Sequence, residues 1–276
     1  MIKEGDTVLV AVSGGKDSIA LLAVLNELRS KIHFNLVATY VDLGIEEISS
    51  TARFIVENVC RSLGINLVVP SIKEVVRASV PELAKYSRRA VCSVCGIVKR
   101  YVINSVAIAL GASSVATGHN MDDLMANIIK EFLNLNFSRL SKLVPRTEGI
   151  KNLVVGRVRP LYEVTERENL VYALLKKLPF LKITCPYVNL DGIEFHIKKF
   201  LTELDIKYPG LRVSFLRRFS KVELPEGNGE VRKCRYCGLI SRGDVCSFCR
   251  LTIKSIGRAL GPEVRAYVGD LVRSIK

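Results

Sequence analysis

The chain has 276 residues, of which 49% are hydrophobic and 25% charged, and its 41 Lys and Arg against 27 Asp and Glu give a net charge of +14. This composition excludes a disordered chain, a collagen and a small peptide scaffold. Because single cores rarely grow beyond about 250 residues, we expect one main domain with a small second unit.

Strand and helix signals alternate from the start of the chain. Residues 7–12 form an apolar run rich in β-branched side chains, followed by a glycine turn at Gly14 and Gly15 and then by apolar residues at helical spacing up to residue 28. The next elements predicted are a strand at 35–41, a helix at 48–63, a strand at 65–69, a helix at 97–110, a strand at 114–117, a helix at 121–132, a strand at 153–158 and a helix at 166–178.

This alternation predicts an α/β fold, a Rossmann-like parallel sheet with helices on both faces. Ligands of such sheets bind beyond the carboxyl ends of the strands. We therefore expect Ser13 to Ser18 and Gly118 to Asp123 to share one crevice.

The pattern changes after residue 190. Short basic helices are followed by a loop signature at Pro225 to Gly229 and by a compact cysteine module. We predict a main domain at 1–190, a basic helical linker at 191–228 and a cysteine module with terminal helices at 229–276.

Charge and cysteine content bear on the setting and the partners. No apolar signal segment follows Met1, and the uncharged stretch 101–121 contains Asn, Ser and Gly residues that indicate a buried helix, turn and strand instead of a membrane span. We expect a cytoplasmic protein, in which cysteines favour metal binding or catalysis, with disulfides as the alternative. Residues 196–276 hold 17 Lys or Arg and 8 Asp or Glu, which suits a polyanion such as RNA or serves solubility alone.

The segment Ser13-Gly14-Gly15-Lys16-Asp17-Ser18 lies between a predicted strand and a helix. Backbone N–H groups at a helix start attract a phosphate, the glycines allow close approach, and Asp17 is a candidate magnesium ligand. An ordinary glycine turn is the alternative. The spacing is not that of the GxxxxGK loop of kinases and GTPases.

The segment resembles the PP-loop of the ATP pyrophosphatases, which cleave ATP to AMP and pyrophosphate to adenylate a carbonyl oxygen. Gly118-His119-Asn120-Met121-Asp122-Asp123 resembles a second motif of the branch that modifies tRNA bases, and the segment from Val41 is similar to the one that meets adenine and ribose. The resemblance implies ATP-binding residues Ala11, Val12, Ser13, Gly14, Gly15, Lys16, Asp17, Ser18, Val41, Asp42, Gly118 and His119.

Seven of the eight cysteines fall into two candidate metal sites. Cys234, Cys237, Cys246 and Cys249 form two CxxC pairs, the pattern of a structural zinc site, with two disulfides as the alternative. Cys92 and Cys95, with the distant Cys185, form a set of three that suits an iron–sulfur cluster with one open iron. A redox CxxC with an unrelated Cys185 is the alternative. Cys60 is expected in the core.

In combination, these motifs resemble the tRNA 2-thiouridine synthetases of the TtuA type. The resemblance implies a 4Fe-4S cluster on Cys92, Cys95 and Cys185, whose open iron takes sulfide from the thiocarboxylate of a ubiquitin-like carrier protein. It implies that Lys99 is catalytic, with Asp123 or its neighbour Asp122 as the acidic residue. It further implies tRNA as substrate, with uridine 54 of the T-loop favoured over wobble uridine 34, and a homodimer.

The mechanism that follows begins with attack of the uracil oxygen on the α-phosphorus of ATP, with Mg²⁺ near Asp17 and Asp123 and with Lys99 stabilising charge on phosphate. Sulfide on the open iron then attacks the activated ring carbon and expels AMP. The competing hypotheses are 2-thiocytidine synthesis on tRNA and a non-catalytic tRNA-binding or scaffold subunit.

Overall fold

The structure, a computed structural model, describes residues 1–225 and 231–275 of the chain. Of the loop predicted at Pro225 to Gly229, only Pro225 falls within the described residues, and the proposed boundary between 228 and 229 lies outside them.

A six-stranded sheet with strand order β3-β2-β1-β4-β6-β5 forms the centre of the fold. Its strands are β1 (Thr7–Ala11), β2 (Asn35–Thr39), β3 (Asn66–Val68), β4 (Ser114–Thr117), β5 (Arg146–Thr147) and β6 (Arg157–Val158). Every pairing is parallel except the one between β5 and β6 at the edge. The predicted Rossmann-like parallel sheet is confirmed.

The helices are α1 (Lys16–Leu28), α2 (Glu46–Leu63), α3 (Ile72–Val76), α4 (Val80–Ser87), α5 (Val91–Leu110), α6 (Met121–Leu133), α7 (Phe137–Leu140), α8 (Glu166–Leu175), α9 (Ile193–Lys207), α10 (Leu211–Phe219), α11 (Ser247–Ile256) and α12 (Gly261–Arg273). A short hairpin of β7 (Arg232–Lys233) and β8 (Ile240–Ser241) precedes α11.

The two faces of the sheet are covered by different helices. Val8 and Val10 of β1 pack in one core with buried residues of α1 and α2, whereas Leu9 packs on the opposite face with α4, α5, α11 and α12. This alternation of side chains along β1 is what a strand buried on both faces requires.

Two predicted elements differ from the structure. The strand predicted at 153–158 is limited to β6, because the backbone between Gly149 and Gly156 folds into a tight turn in which a Cβ on Gly149 would lie 2.7 Å from the Gly156 nitrogen. The helix predicted at 97–110 begins earlier, at Val91, so that Cys92 and Cys95 are helical.

By length and composition, α5 could cross a bilayer. In the fold it is a central helix of the protein, since Val94, Val98, Val102 and Val106 are completely buried. Its sequence therefore reflects burial against the sheet and against the C-terminal helices.

The cysteine module shares the core of the main domain. The rings of Tyr101 on α5 and Phe248 on α11 stack with centroids 4.1 Å apart, and the Tyr101 hydroxyl donates to the Gly261 carbonyl at 2.9 Å. On α12, the Tyr267 hydroxyl donates to Glu74 Oε2 at 2.6 Å. The predicted satellite is thus packed on the main domain, and the three-part division of the chain stays a prediction.

Candidate functional site

The glycine turn after β1 forms a compact loop that leads into α1. Gly14 adopts a φ of +84°, which favours glycine, and a Cβ there would lie 3.0 Å from the Ala52 Cβ. Ser18 Oγ accepts from the Ser13 nitrogen at 3.0 Å and donates to the Gly15 carbonyl at 2.9 Å. Gly15 at the N-cap offers no side chain to the first turn, so the N–H groups of α1 face a position suited to an anion.

The second motif lies directly against this loop. A Cβ on Gly118 would approach the Ser18 nitrogen to 3.1 Å, and Asn120 Nδ2 donates to Asp17 Oδ1 at 3.2 Å. The prediction that Ser13 to Ser18 and Gly118 to Asp123 share a crevice is confirmed.

The predicted adenine segment follows β2, the neighbour of β1. Val41 is buried, and Asp42 Oδ1 accepts from the Gly44 nitrogen at 2.9 Å. Ala11 ends β1 next to it, and the nitrogen of the following residue, Val12, donates to the Thr39 carbonyl at 2.9 Å. These residues occupy the carboxyl edge of the sheet, as expected.

An ion-pair network runs through the crevice and includes two residues that the sequence did not indicate, Glu166 and Lys198. Lys16 Nζ contacts Asp17 Oδ2 at 2.9 Å and Glu166 Oε1 at 2.7 Å. Lys198 Nζ contacts Glu166 Oε2 at 3.2 Å and Asp123 Oδ1 at 2.5 Å. Asn169, a further residue without a sequence motif, donates to Asp17 Oδ1 at 2.9 Å.

Charges in this network stabilise one another. Burial alone would lower the pKa of Lys16 and of Lys198, but hydrogen bonds and attraction to Glu166, Asp17 and Asp123 raise both values overall. Burial would raise the pKa of Glu166, and the two lysines lower it. Lys16, Lys198 and Glu166 therefore stay charged near neutral pH.

The two adjacent aspartates have different surroundings. Asp122 is 6% exposed, pairs with the buried Arg212, and accepts from the Glu166 nitrogen at 2.6 Å. Asp123 is partly exposed and faces Lys198. The geometry favours Asp123 as the residue available to a ligand and gives Asp122 a role in joining α6, α8 and α10.

His119 lies at the mouth of the crevice, where its Nδ1 is 3.0 Å from Thr117 Oγ1. The residue is exposed at its edge, yet loss of hydration around the ring lowers the pKa of His119, and repulsion from the Arg159 guanidinium lowers it further. A neutral ring is therefore favoured at this position.

The second predicted group is brought together at the start of α5. Cys92, Cys95 and Lys99 are three and four residues apart and so share one helix face. Cys92 Sγ donates to the Tyr187 carbonyl at 3.0 Å, which holds the segment of Cys185 beside the helix. Burial raises the pKa of the Cys95 thiol, the nearby Lys99 ammonium opposes this, and the sulfurs of Cys92 and Cys185 are close enough to add to it.

These three sulfurs are more widely spread than those of the C-terminal module. Among the described residues, the group whose ligand atoms all lie within 4.8 Å of one another is Cys234, Cys237, Cys246 and Cys249. A wider spread suits a polynuclear cluster, in which each cysteine binds a different iron.

The four C-terminal sulfurs fit a single tetrahedral ion. All four cysteines are buried, and the sulfurs of Cys237 and Cys246 are 3.8 Å apart. Zn–S bonds of about 2.3 Å in tetrahedral geometry place sulfurs about 3.8 Å apart. A hydrogen bond from Cys246 lowers the pKa of Cys237, and the same contact raises the pKa of Cys246 to about 12, so a cation is needed to hold both of them as thiolates. Cys60, by contrast, is 2% exposed in the core, as predicted.

Comparison with known proteins places the chain in a family. A PP-loop domain model matches residues 2–182. The chain is 39% identical over 259 residues to the tRNA-5-methyluridine(54) 2-sulfurtransferase of Thermus thermophilus, covering 91% of this chain and 78% of that protein. It is 34% identical over 254 residues to the enzyme of the same name from Pyrococcus horikoshii, covering 91% and 79%.

A solved structure shows the same fold. The U34-tRNA thiolase NcsA from Methanococcus maripaludis, determined with its 4Fe-4S cluster, superimposes with a TM-score of 0.75 at 26% identity, covering 92% of this chain and 82% of that one. The site geometry, the domain match and the relatives agree, and the chain belongs to the PP-loop family, within the tRNA 2-sulfurtransferases.

Proposed function

We propose that this chain is an ATP-dependent tRNA-uridine 2-sulfurtransferase that adenylates the C2 oxygen of a uridine and replaces it with sulfur. One observation carries the proposal: Cys92, Cys95 and Lys99 share a face of α5 beside Cys185, in a fold whose PP-loop and second motif meet in one crevice. A nucleotide site and a thiol site on one domain are what the two half-reactions need.

In the first step, the uracil O2 attacks the α-phosphorus of ATP and pyrophosphate leaves. The N–H groups at the start of α1, together with Lys16, would hold the departing phosphates. Lys99 would stabilise charge on the transferred phosphate. In the second step, a sulfur nucleophile attacks C2, and AMP leaves with the original oxygen.

Cys92, Cys95 and Cys185 are the residues that would hold a 4Fe-4S cluster. When bound, such a cluster supplies an open iron for exogenous sulfide. Cys234, Cys237, Cys246 and Cys249 would hold a structural Zn²⁺. Asp17 and Asp123 would bind Mg²⁺ in exchange for their present lysine partners, Lys16 and Lys198.

The partners proposed are tRNA, a ubiquitin-like sulfur carrier with a C-terminal thiocarboxylate, and a second copy of the chain in a cytoplasmic homodimer. Three relatives named for thiolation of 5-methyluridine 54 favour the T-loop position over wobble position 34. Mass spectrometry of nucleosides from tRNA of a strain that lacks this protein tests the position. Loss of a 2-thiocytidine in place of a 2-thiouridine would contradict the proposal that the modified base is a uridine.

The cysteine assignment is tested by Cys185→Ala, with Cys60→Ala as the control for loss of a cysteine elsewhere. We expect anaerobically reconstituted Cys185→Ala protein to lose iron and all thiolation while its zinc content stays unchanged. Cys60→Ala should retain iron, zinc and thiolation. Full thiolation by Cys185→Ala protein would exclude the cluster assignment, and wild-type protein that makes no AMP from ATP with tRNA present would favour a scaffold role.

A further inference from the structure

A group of three arginines lies near both predicted sites, because two of its guanidiniums act on His119 of the second motif and the third interacts with Cys95. Arg157 and Arg159 belong to the β6 segment, and Arg100 comes from α5, five residues after Cys95. We call these three residues the arginine cluster. The pKa values of two of them reflect their closeness: burial lowers the pKa of Arg157, with repulsion from Arg100 as a further cause, and burial lowers the pKa of Arg159 to about 10, with repulsion from Arg157 as a further cause.

The strand register explains why these side chains meet. Arg157 is paired with Val115 of β4, and paired residues of parallel strands point to the same face of the sheet. Val115 packs in the core that contains α5, whereas the next pair, Ala116 and Val158, packs in the core that contains α1. Arg157 and Arg159 therefore share the α5 face, on the side of Cys95.

Within the described residues, the cluster has no carboxylate partner. Arg159 is 7% exposed, its two terminal nitrogens donate to the carbonyls of Val144 and Lys142, and its Nε has no hydrogen-bond partner. The guanidinium of the half-buried Arg157 makes no hydrogen bond or ion pair to any part of the chain that the structure describes. Burying a charge without a partner costs free energy, which an arriving anion would recover.

From this placement, and resting on the proposed function, we propose that the arginine cluster binds a phosphodiester of the tRNA backbone next to the target uridine. A uridine that must reach both the ATP α-phosphate and the thiols of α5 occupies the space between them, and its own phosphates come with it. Guanidinium groups bind phosphate oxygens in a bidentate manner. Arg157 is the principal contact, because its guanidinium has no hydrogen bond or ion pair within the described residues.

The phosphates of ATP are the other source of the same chemistry. They are less suitable occupants, because the PP-loop leads into α1, which packs on the opposite face of the sheet. The anion position at α1 already has Lys16 beside it. A second group of cations on the α5 face, whose Arg159 also acts on His119, fits a second anionic substrate beside the ATP.

The test is Arg157→Met, which removes the charge and keeps a flexible side chain of similar reach. Arg61→Met is the control, since Arg61 is exposed on α2 on the other side of the sheet and its loss changes the net charge equally. With an unmodified tRNA transcript as probe, we expect the Kd of Arg157→Met to rise about tenfold, the worth of one charge-assisted contact. The slope of log Kd against log salt should fall by about one.

Further measurements identify the source of the phosphate. The Kd for a non-hydrolysable ATP analogue, measured without tRNA, should be unchanged in Arg157→Met. The midpoint of urea unfolding should not fall, because the charge that is removed has no partner among the described residues. Arg157→Lys should restore part of the tRNA affinity, because the charge returns without the fork. If Arg157→Met binds the ATP analogue more weakly and tRNA as tightly as the wild type, the proposal is overturned in favour of ATP. If Arg157→Met binds tRNA with the same affinity as Arg61→Met, the proposal is overturned outright. Wild-type protein that binds no tRNA would instead overturn the proposed function.

Discussion

Two adjacent aspartates of one motif can have unrelated roles, as Asp122 and Asp123 show. Residues adjacent on a helix point about 100° apart, so Asp122 faces the interior and Arg212 while Asp123 faces the crevice and Lys198. The sequence identified the pair but could not separate them, because the partner of Asp122 lies 90 residues away. Glu166 and Lys198 were missed because neither belongs to a motif and because their partners Lys16 and Asp123 lie 150 and 75 residues away.

We expect Asp122→Asn to destabilise the protein by about 2 kcal/mol, since it removes one of the two carboxylates that pair with the buried Arg212 and leaves Asp205 as the other. Asp123→Asn should change stability by about 1 kcal/mol or less, because its pair with Lys198 is partly exposed. Urea denaturation measures both.

Thiolation assays complete this comparison at a temperature where both variants are folded. Asp123→Asn should lose the activity, whereas Asp122→Asn should keep most of it. Loss of activity by Asp122→Asn with unchanged stability would show that Asp122, and not its neighbour, is the acidic catalytic residue.

At the scale of elements, α5 connects the three parts of the molecule that carry chemistry. Its first turns hold Cys92, Cys95 and Lys99, its middle packs on the sheet, and Tyr101 stacks on the cysteine module. The sequence predicted only the apolar part of the helix. The first turns were missed because cysteine, serine and glycine at their positions give no helical period.

The join between α12 and the four-cysteine site depends on a glycine. A Cβ on Gly261 would lie 2.6 Å from Cys249 Sγ and 2.7 Å from the Tyr101 hydroxyl. We expect Gly261→Ala to displace α12, lower the zinc content and reduce the melting temperature by several degrees, about 2–4 °C per kcal/mol for a chain of this size. Thermal unfolding and metal analysis measure these effects.

Gly243→Ala is the matched control for this variant. Gly243 lies in the same module, and a Cβ there would meet no heavy atom within 4 Å. Its replacement should leave zinc content and melting temperature unchanged. Equal behaviour of the two variants would mean that the close approach at Gly261 is not a constraint on the module.

For the whole molecule, the sheet and its main helices were largely predictable from the sequence, whereas the packing between elements distant in the sequence was not. Strands β1 to β4 and helices α1, α2 and α6 begin and end within a few residues of the predicted positions, because each has a strong apolar period. The short helices α3 and α4 gave no such signal. The packing of α11 and α12 on α5 joins residues far apart in the sequence, such as Tyr101 and Gly261, which are 160 positions apart, and periodicity carries no information on such contacts.

The net charge of +14 has a consequence at this scale. We expect tRNA binding to weaken on the order of 10³-fold between about 50 and 200 mM salt, as counterions released by several phosphate contacts compete. Affinity for an ATP analogue, held by few charges in a crevice, should change far less. Filter binding across a salt series measures this, and a flat response for tRNA would show that the positive surface serves solubility alone.

The shared position of α5 also limits how such a sequence can change over time. One inserted residue between Lys99 and Tyr101 would rotate one end of the helix by about 100° against the other. Either the thiols or the ring stacked on Phe248 would then point the wrong way. Point substitutions on this helix can be absorbed one at a time, but changes of length cannot, so its residue count is expected to be invariant among relatives that retain both sets of cysteines.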